Sequence, residues 1–513
     1  MSAGDLAEAR AEFERGNLLG AFPLARRAVE RDPRNPEALW LFAKLCEAGG
    51  ERATALSLLR AAAELDPQND SVRVALEGLQ QSADPDEAQR CYAEARRRDP
   101  RIAIHTNAMS FVDPPVDGEV RRLLERAIEA DLAFAPAHAA YANVLLRGGD
   151  LSGSLRSLVR AVTLDENDAA ARLGLAQRLH LAGDDARATF HLERALEQQT
   201  TYSEPALRSS ERRLLAVCAP GFWERSVPLD LVLDRDAWNV DKWYAQREDL
   251  PDRGYEIAVN AIAEPDAGAL AAAAAYFSDA GLPVLNQPAA VARTERAYLC
   301  TRPLAHAVVP RTVRAARAEL REAVASFDGE VVVRPGGSHK GEGLQRLSAA
   351  GEPDRYLETT PAQEFYVSAY AEYASNDGYY RKYRILFIGG RPFPYHLAIS
   401  PHWMVHYFSA PMAQHAWMRE EEAAFFRRFD ALFDGSRRAA LDEVNAALGL
   451  DYFGMDCALL PDGRVLVFEA NANMLVHDAE PDDRFAYKDE PVARIFKAFA
   501  QLVERRANRR AKA

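Results

Sequence analysis

Asp456, Glu469 and Asn471 are the residues whose types and spacing could do the most chemistry. Thirteen positions separate the two carboxylates, and Pro461-Asp462-Gly463 lies between them. A hairpin about that turn puts Asp456 and Glu469 on neighbouring strands, and alternation puts Glu469 and Asn471 on one face. Three hard oxygen donors on one sheet face suit Mg²⁺, which takes carboxylates together with phosphate and water ligands. An ordinary polar strand face would have the same spelling.

Two further segments carry positive charge at strand-like runs. Val331-Val332-Val333-Arg334 leads into Pro335-Gly336-Gly337-Ser338-His339-Lys340-Gly341-Glu342-Gly343. Glycines let backbone N–H groups approach phosphate oxygens, and Arg334 would neutralise phosphate charge. The loop lacks the Gly-x-x-x-x-Gly-Lys-Ser/Thr spelling of a P-loop and reads equally as a hairpin. In Lys382-Tyr383-Arg384-Ile385-Leu386-Phe387-Ile388 the two cations share a strand face and can serve one anion. Pro394–Tyr407 holds three of the eleven histidines, His396, His402 and His406. His396 and His406 are placed to bind a substrate carboxylate or to take the proton of an amine; His402 reads as packing.

The elements that must position these groups follow from pattern. Strands are expected at 228–233, 255–262, 283–285, 330–333, 365–373, 383–388, 391–400, 457–460 and 465–469. Helices are expected at 204–215, 267–280, 420–433, 436–448 and 492–505. Strands alternating with a helix over 226–312 imply a small parallel α/β unit.

The first two hundred residues have a different rhythm. Asp32-Pro33 returns as Asp66-Pro67, 34 residues on, and then as Asp99-Pro100; Asp131 and Asp165 are again 34 apart. Ala55, Leu59 and Ala62 step by four and three, as do Ala88, Tyr92 and Ala95; Ser154, Leu158 and Ala161; and Ala188, Leu192 and Ala195. Each trio is one face of a helix. Arg101–Gly118 breaks the rhythm, with Asp113-Pro114-Pro115 interrupting a helix. This pattern resembles the tetratricopeptide repeat (TPR), a 34-residue helix–turn–helix unit. The resemblance covers roughly 2–200 in about five repeats. It implies an all-α solenoid whose groove holds a peptide or protein partner, or a stack that packs or dimerises.

In the second half, the order of Gly-loop strand, central strand, Lys-x-Arg strand and Asp…Glu-x-Asn hairpin resembles the ATP-grasp superfamily of carboxylate–amine ligases. The resemblance covers roughly 226–500 and includes Pro283-Val284-Leu285-Asn286, Glu295-Arg296 and Val309-Pro310-Arg311-Thr312. It implies the following division: a TPR domain at 1–200, a linker at 201–225, a small parallel pre-ATP-grasp domain at 226–312, an α/β ATP-grasp domain at 313–505 and a basic tail at 506–513. It further implies that Asp456, Glu469 and Asn471 hold Mg²⁺ and that Arg384, with Lys382, stabilises the transferred phosphoryl group. Arg296, Arg334, Gly336, Gly337, Ser338, His339, Lys340 and Gly341 would meet ATP phosphates. Ser368, Ala369, Tyr370 and Ala371 would meet adenine through backbone atoms. Arg296 and Arg334 stand where the family usually has lysine, which keeps the charge and changes the geometry. The implied reaction joins a carboxylate and an amine, an amino acid or peptide, at the expense of ATP. Phosphoryl transfer without amide formation and a TPR adaptor with a degenerate nucleotide domain are the alternatives.

Composition narrows the classes. A net charge of −13 over 513 residues disfavours a nucleic-acid binder. Five scattered cysteines without a C-x-x-C pair favour a reducing, cytoplasmic setting. No apolar run is long enough to span a membrane.

Overall fold

The computed structural model describes residues 2–49, 51–80, 84–104, 116–222, 225–227, 229–245, 253–263, 266–338, 341–348, 352–472, 476 and 483–510. It divides into two compact units, residues 1–202 and 203–513.

The first unit is built of antiparallel helix pairs. Ser2–Glu14 packs on Leu18–Arg31, Pro36–Ala48 on Arg52–Leu65, Ala135–Arg147 on Leu151–Leu164 and Ala169–Leu181 on Asp185–Gln198. Side-chain caps start several of them: Asn35, Asp150, Asp168 and Asp184 each accept a backbone N–H from the first turn. The small-residue trios mark the contacts, with Ala55, Leu59, Ala62, Ala88, Ala95, Leu158, Ala188 and Ala195 fully buried. The rhythm breaks earlier than the sequence implies. A regular repeat would pair Asp70–Gln80 with Pro85–Arg98. Asp70–Gln80 packs on Arg52–Leu65, as successive repeats do elsewhere in the unit, but Pro85–Arg98 packs on Gly118–Ala130. Asp113-Pro114-Pro115 lies outside the described residues. Past Asp99 the chain turns onto Ala135–Arg147: Asn143 Nδ2 donates to the carbonyls of Ile102 and Ile104 at 2.7 and 3.3 Å, and Arg147 pairs with Asp99 at 2.7 Å.

The second unit holds three sheets. Strands β1 (Thr201–Glu204), β2 (Arg213–Cys218), β3 (Asn239–Tyr244), β4 (Ile257–Asn260) and β5 (Val284–Leu285) form one sheet in the order β1-β3-β2-β4-β5, with β2, β3, β4 and β5 parallel. Two expectations are corrected here. Residues 204–215 are not a helix in a linker, because β2 starts inside that span; the run Leu214–Val217 is buried on both faces, as a central parallel strand requires. Leu229–Val232 is a short helix, not a strand.

Strands β6 (Ala307–Val308), β7 (Thr312–Ala316), β8 (Val331–Pro335), β9 (Gln345–Leu347), β10 (Glu364–Ala369), β11 (Tyr380–Ile388), β12 (Arg391–Ser400), β13 (Tyr452–Leu459) and β14 (Val465–Asn471) complete the unit. A four-stranded antiparallel sheet runs β7-β10-β8-β9, and a five-stranded sheet runs β12-β11-β13-β14-β6 with β6 parallel at its edge. Helices Ala416–Arg427 and Gly435–Leu448 cover one face of the latter. Tyr383, Ile385 and Phe387 of β11 and Phe453, Met455 and Cys457 of β13 point to that face; Phe387 and Phe453 stack at 4.4 Å, and Tyr383 meets Phe425 and Phe433. Alternation sends Lys382, Arg384 and Asp456 to the other face. Asn286 follows β5 in a left-handed turn at φ 59° and accepts the N–H groups of Asp451 and Tyr452 at 2.9 and 3.0 Å, which anchors the start of β13.

Candidate active site

Four side chains stand in one line across the five-stranded sheet. His396 on β12 pairs with Arg384 on β11, Arg384 with Asp456 on β13, and Asp456 with Glu469 on β14. A β-bulge flanks the line at each end. The register shifts between Arg384 and Ile385 leave Tyr395 unpaired, and those between Asp456 and Cys457 leave Phe468 unpaired. The second bulge decides the site. Val465 and Val467 face the helix-covered core, and so do Ala470 and Ala472. In a regular ladder that parity would send Glu469 into the core; absorbing Phe468 turns Glu469 and Asn471 onto the site face.

The line is densely charged. Arg384 grips Asp456 with both prongs, Nε to Oδ1 at 2.7 Å and Nη2 to Oδ2 at 2.9 Å, and Lys382 Nζ reaches Oδ2 at 3.0 Å. Arg296 meets Glu469 Oε2 at 2.6 Å, and Arg334 approaches the same oxygen at 3.7 Å. Four cations thus surround two carboxylates, and the surplus positive charge suits a polyanion. Burial alone would raise the Asp456 carboxyl, but Arg384 and then Lys382 hold it far below the ordinary range. Burial would likewise raise Glu469; Arg296, then Arg334 and Lys382, overcome this and the repulsion of Asp456 and hold it below the ordinary carboxylate range. His396 is driven the other way, well below the usual imidazole value, by burial and then by Arg384. It is a neutral ring among cations.

Asn471 Oδ1 is buried and has no hydrogen-bond partner, an acceptor left over beside two carboxylates. Two carboxylates and an amide oxygen fit Mg²⁺. Among the described residues no group of three or more His, Cys, Asp or Glu is arranged for a metal, so the amide is needed to complete the set.

The other expected residues fall around this line. β8 carries Arg334 in the four-stranded sheet, where its guanidinium also reaches back to the Ser338 carbonyl and, at 3.3–3.4 Å, the Ser338 hydroxyl. The glycine loop is therefore tied to the cation that precedes it. Gly336 N–H donates to the Glu364 carbonyl at 2.8 Å, so it is not offered to a ligand. At Gly343 φ is +64° and an added Cβ would stand 2.7 Å from Pro335, which only glycine tolerates. Gly337 and Gly341 are also left-handed; His339 and Lys340 lie outside the described residues. On β10, Ala369 N–H donates to the Arg311 carbonyl and Tyr370 N–H to the Glu330 carbonyl, both at 2.9 Å, while the Ser368 and Thr312 hydroxyls meet at 2.9 Å. Of the expected adenine edge, the N–H groups of Ala369 and Tyr370 are thus already taken. His406 anchors a turn through its carbonyl, which accepts from Ala410 N–H at 2.9 Å. His402 is exposed.

Two residues near the line have no sequence signal. Lys488 is 5% exposed and donates to Tyr407 Oη at 2.5 Å, and Glu422 is fully buried. A lysine beside Asp489 and Glu490 at a helix start spells a solvated end, and only the fold buries it.

No family model matches the chain, and no curated protein matches it in sequence. Solved structures similar to it include D-alanyl-alanine synthetase A from Vibrio cholerae O1 biovar eltor, at 12% identity and a TM-score of 0.39, covering 59% of this chain and 100% of that one. The macrocyclase MdnC from Microcystis aeruginosa, bound with its precursor peptide MdnA, is similar at 12% identity and a TM-score of 0.35, covering 57% and 99%. MamA is similar at 17% identity and a TM-score of 0.15, covering 37% and 93%. At such identities the chemistry of the site is read from its own residues.

Proposed function

We propose that the second unit is an ATP-grasp ligase that uses ATP and Mg²⁺ to activate a carboxylate and joins it to an amine. The observation that carries this reading is the line His396–Arg384–Asp456–Glu469, with Arg296, Arg334 and Lys382 around it. Asp456, Glu469 and Asn471 would hold Mg²⁺, which would supply charge neutralisation for the phosphates of ATP. Arg296 and Arg334 leave Glu469 for phosphate oxygens, and the two-pronged guanidinium of Arg384 faces the transferred phosphoryl group. The carboxylate oxygen attacks the γ-phosphorus, ADP leaves, and the amine then displaces phosphate from the acyl phosphate to give an amide. Fixed cations already aimed at the developing charge lower the barrier without reorganisation. His396, neutral in this field, orients a substrate group.

The first unit binds a peptide, a protein substrate or a partner in this reading. No helix among the described residues is long and apolar enough to cross a membrane. The test is Glu469→Gln. Turnover of Mg²⁺-ATP should fall at least about 10-fold, as expected for a lost metal ligand, with melting nearly unchanged. Full activity in that variant would remove the metal assignment.

A further inference from the structure

The line across the sheet ends at His396, and a second constellation lies beyond it. His396 is 3% exposed, and its Nδ1 atom has no hydrogen-bond partner. Its ring packs on Tyr407, with centroids 4.5 Å apart and planes 35° from parallel. The buried ammonium of Lys488 lies 4.3 Å from the centre of the same Tyr407 ring. A buried imidazole and a buried cation therefore meet on one phenol.

A single carboxylate fixes both. Glu422 Oε1 accepts the N–H of Leu397, the residue after His396, at 3.0 Å, and Glu422 Oε2 accepts the hydroxyl of Tyr487, the residue before Lys488, at 2.6 Å. Burying a carboxylate is costly unless its oxygens are bonded, and here one oxygen holds each side of the constellation. A satisfied buried group that ties two otherwise separate segments is a device for holding geometry. Arg384, Lys488 and Lys382 all oppose a charge on His396, so the ring offers a neutral nitrogen beside an ammonium and a hydroxyl. The Lys488 ammonium, the Tyr407 hydroxyl that it donates to and the imidazole stacked on the Tyr407 ring are together the kinds of group that complement a carboxylate.

We propose that Lys488, Tyr407 and His396 form a carboxylate-binding subsite at the end of the line away from Glu469, with Glu422 as its positioning residue. The proposal rests on the reading of this site as a carboxylate-activating one and states where that site holds an anionic substrate group. The group is the carboxylate that is activated or a second carboxylate carried by the amine-bearing substrate.

The experiment uses the full chain with ¹⁵N-labelled histidine, the His396 resonance being assigned by His396→Asn. Sodium acetate is titrated at constant ionic strength against sodium chloride. Acetate should shift the His396 signal saturably in the unmodified chain and in Lys488→Arg, and not in Lys488→Met. Tyr407→Phe and Glu422→Gln should each raise the half-saturating acetate concentration by about tenfold. An equal response to chloride, an unchanged response in Lys488→Met, or no response in the unmodified chain would overturn the proposal. Adding Mg²⁺-ATP and hydroxylamine separates the two sources. Hydroxamate formation from acetate marks the activated carboxylate; a shift without ATP consumption marks a carboxylate that is only held. Binding of Mg²⁺-ATP is measured separately, so its absence counts against the ligase reading while the acetate response still decides the subsite.

Discussion

Asp456 is bound on two sides by Arg384 and Lys382, so its charge serves two purposes. It balances two half-buried cations and, in the proposed reaction, becomes a metal ligand when phosphate replaces it as their partner. Asp456→Asn separates these roles. Losing the charge leaves Arg384 and Lys382 uncompensated, and stability should fall by roughly 3 kcal/mol in denaturant unfolding. The same change removes the competitor for those cations. Metal-free ATP should then bind at least as tightly as to the unmodified chain, while the dependence of binding on Mg²⁺ disappears. Calorimetry with and without Mg²⁺ reads both; an unchanged Mg²⁺ dependence would exclude Asp456 as a ligand. These residues are legible in sequence through the order of the strands that carry them, since each motif alone has the spelling of an ordinary polar strand face. Lys488 and Glu422 are not, because their burial is a property of the packed sheet and helices and not of their neighbours in the chain.

At the scale of elements, periodicity reveals most strands and helices and misses what breaks periodicity. Alternation alone places Lys382 and Arg384 on one face, yet Glu469 reaches that face only through the bulge at Phe468. A bulge leaves no spelling in the sequence: Phe468 reads as one more apolar strand residue, and its ring ends against Tyr373 at 4.9 Å. The run before β3 misleads for a related reason, since a buried parallel strand such as Leu214–Val217 has no alternation to distinguish it from a helix. In the helical unit, the 34-residue spacing shows the pairs but not the packing of Pro85–Arg98 on Gly118–Ala130. That unit also carries a pH dependence. His138 is 9% exposed with its Nε2 against the Leu132 carbonyl at 3.1 Å, and burial first, opposed by that bond, leaves its pKa at about 4. Its unfolded value is near 6.5, so the unfolded chain binds the proton first. Stability contributed by neutral His138 is full above about pH 6.5 and is lost as pH falls towards about 4. Melting of the helical unit should drop between pH 7 and pH 5, and less so in His138→Asn. Equal drops in both would assign the effect to other groups.

For the whole molecule, the division at residues 202 and 203 separates a helical unit, whose described residues form no comparable charged line, from a unit that contains every residue of that line. Removing residues 1–200 should therefore leave Mg²⁺-ATP binding intact and weaken the use of a large peptide or protein substrate. Loss of small-substrate turnover in a truncated chain that still binds nucleotide would make the helical unit part of the catalytic machinery. The net charge of −13 sharpens the contrast with the site, where cations outnumber carboxylates four to two inside an acidic protein. Such a local inversion draws in anionic substrates that the surface as a whole repels. The central claim is most directly tested by incubating the purified full chain with Mg²⁺-ATP and a panel of amino acids and short peptides, and following nucleotide and products by mass spectrometry. The account predicts Mg²⁺-dependent conversion of ATP to ADP and phosphate, with an amide whose mass is the sum of two substrates less one water. AMP and pyrophosphate, a stable phosphorylated product without amide, or no Mg²⁺-dependent binding of ATP would contradict it.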